Sequence, residues 1–191
     1  MAWIDQLRKF RKKRPTRSDS EHTYHEMIAI KNDRGAALVA SAQLEARLRQ
    51  FIEARVRVHD AKLVNGLFGG SGPLSSFSSQ TNIAYVFGFI SDEIRRDMEI
   101  LREVRNTFAH AGIQVTFETE EIVRACEGFS MKSFHYNDLP WGATHARTRY
   151  IGTSALLLDA LTSGMAVNAP VPLPYSRHYS LLKGSSTKQT S

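Results

Sequence analysis

Residues 36 to 57 contain neither proline nor glycine and are rich in alanine, leucine, glutamate and arginine, all strong helix formers. Ala37, Ala40, Ser41, Leu44, Leu48, Phe51 and Ile52 recur at three and four residues, and this stripe predicts a helix over Arg34–Arg57. Its first half is lined with small residues, which lets a second helix approach closely. The segment Gly66–Pro73 (GLFGGSGP) reads as a loop, after which Phe77, Thr81, Ala84, Phe87 and Ile90 predict a helix over Ser75–Ile90. Ser91 can cap the next helix, Ser91–His110, with Asp92 and Glu93 complementing its dipole and Gly112 as its left-handed stop. In that helix Ile94, Met98, Leu101 and Phe108 form the apolar stripe, and Arg105 occupies the missing step, so it is expected to point inward. Thr119, Glu120 and Glu121 open a shorter helix through Cys126, and Glu127 to Trp141 reads as irregular. A last helix, Thr144–Ser163, places Arg147, Tyr150, Ser154, Leu157 and Leu161 along one side, with Gly164 as its stop. Only Val115 to Phe117 hints at a strand. The pattern therefore predicts an all-α fold, a helical bundle of five or more helices over residues 21–166.

The two ends read differently. Trp3, Ile4, Leu7 and Phe10 recur at helical spacing ahead of a basic run that Pro15 closes, an amphipathic arm over residues 1–20. Pro170, Pro172 and Pro174 sit close together, and no apolar side chain follows Gly184, so residues 167–191 are expected to be an extended and then disordered tail.

Composition narrows the class. With 42% apolar and 23% charged residues, the 191-residue chain matches one ordinary globular domain with tails, which excludes collagen-like and wholly disordered readings. A single cysteine, Cys126, makes neither an internal disulfide nor a cysteine-rich zinc site. The longest apolar run, Ile83 to Ile90, falls far short of the ~20 residues that span a bilayer, and no signal-peptide pattern follows the N-terminal charges. A cytoplasmic location is expected, with no cofactor and no metal.

The net charge of +6 is unevenly placed. Arg8, Lys9, Arg11, Lys12, Lys13, Arg14 and Arg17 face only Asp5 and Asp19 within the first 20 residues, whereas the remaining 171 hold 18 basic and 17 acidic side chains. Any polyanion contact, with nucleic acid ahead of a membrane surface, is thus expected from these seven arm residues, since a domain meeting many phosphates needs a basic face.

Among the motifs, a glycine-rich loop opening a helix suggests phosphate binding, but Pro73 follows Gly72 where a lysine is needed and no strand precedes it. His22 and His25 share a polar face that fits solvent better than a metal. The segment Arg105-Asn106-Thr107-Phe108-Ala109-His110 has a chemical argument behind it. A histidine can exchange a proton with a ribose hydroxyl or a leaving oxygen while a guanidinium stabilises charge at phosphorus. At ~100° per residue, Asn106 and His110 share a face and Arg105 can fold over the helix end. The structural alternative is that His110 complements the helix dipole and that Arg105 pairs with Glu99, Glu103 or a carboxylate of a partner chain. Breaking such an inward pair is expected to cost about 3 kcal/mol, and the need for a partner group points to a homodimer.

Two resemblances follow. Arg105-Asn106-x-x-x-His110, late in a helix of an all-helical chain, resembles the arginine–x4–histidine motif of the HEPN superfamily. That likeness implies Arg105 and His110 as an active-site pair, with Asn106 in support, in a metal-independent endoribonuclease whose site forms across a dimer. Residues from about Arg34 to Val123 are similar to the mannitol operon repressor family. The carriers are Arg34-Gly35-Ala36-Ala37-Leu38, Gly72-Pro73-Leu74 with Phe77-Ser78, Tyr85-Val86-Phe87-Gly88-Phe89-Ile90, Leu101-Arg102-x-x-Arg105 through His110, and Phe117 with Glu120-Glu121-Ile122. This resemblance implies an all-helical regulator of transcription without a helix-turn-helix, acting through protein or nucleic-acid contacts. It is the favoured expectation, the ribonuclease its alternative.

Overall fold

The computed structural model describes residues 2–11, 22, 26–27, 29–57, 60–130 and 145–163. Its elements are α1 (Ala2–Arg11), α2 (Asp33–Glu53), α3 (Ala61–Phe68), α4 (Phe77–Val86), α5 (Asp92–His110), α6 (Glu120–Glu127) and α7 (His145–Ser163), and no strand occurs among the described residues. The tail 167–191 and most of 12–28 lie outside them.

The central helix is α2, which packs on α7, α5 and α4, while α6 closes over α5 and α7. All seven residues of its predicted stripe, from Ala37 to Ile52, are buried. The small residues at its start admit α7 so closely that the Tyr150 hydroxyl lies 3.2 Å from the Ala37 carbonyl. Leu44 and Leu48 of α2, Met98, Leu101 and Phe108 of α5, and Tyr150 and Leu157 of α7 form the middle of one continuous core.

Capping side chains set most helix starts. Asn32 accepts the Gly35 N–H at 2.6 Å for α2, Ser76 that of Ser79 at 3.1 Å for α4, and Ser91 that of Ile94 at 3.3 Å for α5. Thr119 precedes α6 but takes the Thr116 N–H instead, at 3.1 Å, which closes the turn before the helix.

The structure departs from the sequence pattern at several places. The expected loop Gly66–Pro73 begins inside α3, which Asp60 caps by accepting from the Lys62 and Leu63 N–H groups. Gly72 then folds back on the end of α3 so tightly that a Cβ there would meet the Gly66 carbonyl oxygen at 2.2 Å. The loop's glycine thus serves chain packing. The helix expected to run to Ile90 stops at Val86, because Gly88 takes φ +68° and the N–H groups of Gly88 and Phe89 close on the carbonyls of Tyr85 and Ala84. By contrast α5 ends without a left-handed glycine: Ala111 is extended, and the Arg34 guanidinium donates to its carbonyl at 3.3 Å. Val115 to Phe117 forms loop and turn, since the Phe117 N–H bonds Asp33 rather than a neighbouring strand.

Candidate functional site

The three motif residues lie in the last two turns of α5. The buried stripe of that helix runs through Ile94, Asp97, Met98, Leu101, Val104 and Phe108, so the inward step expected of Arg105 belongs to Val104. Arg105 flanks the stripe, its side chain 26% exposed, with its Nη2 3.7 Å from Glu45 Oε2 on α2. Neither Glu99 nor Glu103 is its partner: Glu99 pairs with Arg95 at 2.6 Å and Glu103 with Arg102 at 2.5 Å. The pair forms within one chain, so Arg105 does not require a second subunit. Asn106 is half-buried and His110 exposed at the helix end. Among the described residues, no hydrogen bond or ion pair joins Arg105, Asn106 and His110 to one another.

Beneath this surface lies a polar node that the sequence pattern places only on a stripe. Asp33, in the first turn of α2, accepts the Phe117 N–H at 2.9 Å and pairs with Arg147 of α7. Arg147 also donates to the Ile30 carbonyl, and its guanidinium lies 6.0 Å from the centre of the Phe117 ring. One turn on, the fully buried Tyr150 hydroxyl is 3.2 Å from both the Ala37 and the Leu101 carbonyl, linking α7 to α2 and α5. Its ring packs on Phe117 at 5.4 Å and Phe129 at 6.5 Å. Burial pushes the Tyr150 phenol well above its ordinary value, and it pushes the nearby Cys126 thiol up to about 12. Asp97 is the true polar interruption in the α5 stripe: it is fully buried and accepts the Ser130 N–H at 2.7 Å, holding the chain after α6 against α5.

A second surface forms where α4 ends. The turn at Gly88 puts Val86 and Phe87 outward, Phe87 with 63% of its surface exposed. Phe87 stacks on Phe89 at 5.7 Å, and Phe89 meets the buried Phe51 edge-on at 6.4 Å. Arg55 sits over the Phe51 ring at 3.5 Å and 5.9 Å from that of Phe89, while its Nη1 donates to the Phe51 carbonyl at 3.0 Å. Partial burial lowers the Arg55 pKa. An aromatic step with an arginine stacked on it offers apolar area and an oriented cation together. The helical spacing of Phe77, Thr81, Ala84, Phe87 and Ile90 places Phe87 in the core, which the structure does not. Its signal was Gly88, which turns the helix before Phe87 can complete the inward stripe.

Arg8, Lys9 and Arg11 lie on α1, whereas Lys12, Lys13, Arg14 and Arg17 fall outside the described residues. Leu7 and Phe10 of α1 are exposed. His22 is exposed, and His25 lies outside the described residues. Among the described residues, no three histidine, cysteine, aspartate or glutamate side chains are grouped to hold a metal.

No family model matches the chain, and no curated protein sequence matches it. Among solved structures, a chain of the MtlR–HPr complex from Escherichia coli is similar over 77% of this chain and 98% of that one, with a TM-score of 0.59 and 20% identity. This likeness establishes an MtlR-like helical bundle as the fold.

Proposed function

We propose that the chain is a regulatory protein of the mannitol-repressor type that controls transcription by docking a protein partner, not by cleaving RNA. The observation that carries this reading is the fold likeness to a chain of the MtlR–HPr complex. Two features of the chain support it. Arg105, which a ribonuclease would need at the scissile phosphate, has its charge directed at Glu45. The exposed Val86 and Phe87, with Phe87 stacked on the partly buried Phe89 beside Arg55, have the composition of an interaction hot spot, and no packing role accounts for Phe87 facing water. The docking surface in this reading is that step, and the working unit is a cytoplasmic homodimer. Titrating the purified chain with HPr tests the reading: saturable heat of binding is the expected outcome, and its absence at high concentration refutes it. Sedimentation at tens of micromolar tests the dimer separately.

A further inference from the structure

We propose that residues 170–175 of this chain dock on the step formed by Val86 and Phe87 and compete there with the protein partner. The competition rests on the reading of that step as the partner's docking surface. Val86 is 67% exposed and Phe87 63% exposed, and Phe87 stacks on Phe89 at the end of α4. Two large apolar side chains are a small part of the ~800 Å² that each copy buries in a stable dimer, so the step fits a short peptide better than a second bundle.

Register brings that peptide to the step. Arg147 of α7 pairs with Asp33 of α2, and the Tyr150 hydroxyl meets the Ala37 carbonyl, at sequence offsets of 114 and 113. A near-constant offset means that α7 runs parallel to α2, since both rise ~1.5 Å per residue. Carried to the last residue of α7, this register sets Ser163 level with Arg49 and Gln50, just before Phe51. Phe51 meets Phe89 at 6.4 Å, so α7 delivers the chain at the end of the bundle that carries the step. Residues 164–191 follow and lie outside the described residues. The stretch from Ser163 to Pro170 reaches about 23 Å when extended, against neighbouring helix axes ~8–10 Å apart.

The chemistry of the segment suits an aromatic step. Pro170, Pro172 and Pro174 alternate with Val171, Leu173 and Tyr175. Each proline fixes its own φ and biases the residue before it towards extended backbone, so the alternation favours a polyproline II strand. Such a strand docks on aromatic side chains at low ordering cost. Its carbonyls have no partner within the strand and can accept from the Arg55 guanidinium, which lies 5.9 Å from the centre of the Phe89 ring. No charged residue occurs from 164 to 176, so laying the segment beside Arg55 adds no like charge.

The test uses the full chain with Ser176→Cys carrying a nitroxide; Cys126 is buried, so the label goes to the new thiol. The amide signals of Val86 and Phe87 are expected to lose intensity to the nitroxide and to regain it when Leu173→Ser and Tyr175→Ser are added. Titration with HPr reads the competition: the serine pair should bind at least about threefold tighter than the wild type, because the step is freed. Thermal unfolding of the serine pair checks that the bundle is intact. Val86 and Phe87 signals that the nitroxide leaves unchanged would overturn the proposal, as would an HPr affinity that the serine pair does not alter. Broadening seen only when nitroxide chains are mixed with separate isotope-labelled chains would give the step to a second copy and overturn it too. If neither form binds HPr, the partner reading and the competition fall together, whereas the nitroxide spectra still decide the docking.

Discussion

Tyr150 and Phe87 each belong to an aromatic cluster that includes an arginine, yet the chain puts them to opposite use. Around Tyr150 the polar groups turn into the bundle: its hydroxyl lies beside two backbone carbonyls, and Arg147 is held by Asp33 and the Ile30 carbonyl. Around Phe87 the ring faces solvent, and Arg55 lies over the neighbouring Phe51. The inner cluster fixes three helices to one another; the outer one is spare surface, which helix packing does not require. A functional surface is therefore better sought where apolar area is left over than where a motif resembles catalysis. Arg105 belongs to neither extreme, as a half-exposed arginine in an interhelical pair of 3.7 Å.

The largest effect should come from breaking the inner cluster. Arg147→Ala leaves the Asp33 carboxylate poorly solvated without its cation, and a loss of about 3 kcal/mol is expected in urea unfolding. Adding Asp33→Ala should cost less than the sum of the two single changes, because the pair is lost only once. If the losses simply add, the two side chains do not act as a unit.

Alkaline pH loads the same region. Burial raises the folded-state pKa of both Cys126 and Tyr150, so each stays neutral in the bundle while the unfolded chain ionises. The unfolded state then binds fewer protons, and stability falls as pH rises. The contribution is complete below about pH 8.5 and is lost on the way to the folded Cys126 value of about 12. Between pH 9 and 10.5 a loss of about 2 kcal/mol is expected, and Cys126→Ala should flatten its first part. A flat profile would mean that these groups ionise equally in both states.

Arg105→Ala separates the motif from the core. An interhelical pair this exposed should contribute under about 1 kcal/mol, well below the 3 kcal/mol expected of an inward arginine. Mixed RNA in chelator should remain intact with the wild type, Arg105→Ala and His110→Ala alike. Cleavage that disappears in both variants would restore the ribonuclease reading. Phe87→Ser should have the smallest effect on folding, within about 0.5 kcal/mol, since the ring already faces water.

These contrasts show where the sequence was legible. Helices with a full stripe and a cap declared themselves: Ser91 and His110 bound α5 as expected, and the stripe of α2 is buried throughout. The chain's turns were less readable. Gly66 sits inside α3 although glycine-rich surroundings suggested a loop, and Gly88 ends α4 although the apolar run continues past it. The candidate site was harder still, because stripe counting cannot distinguish Val104 from Arg105 one position apart on the helix. Glu45, 60 positions away in the chain, becomes Arg105's partner only once α2 packs on α5. The Asp33–Arg147 pair likewise joins the starts of two distant helices, and no local spacing announces it.

The most direct test of the account is one calorimetric series in which HPr is titrated into the wild type, Phe87→Ser and Arg105→Ala. Binding by the wild type is expected, with at least about tenfold weaker binding by Phe87→Ser and near-wild-type binding by Arg105→Ala. Binding that Phe87→Ser leaves intact and Arg105→Ala abolishes would contradict it, moving the functional surface from the end of α4 to the end of α5.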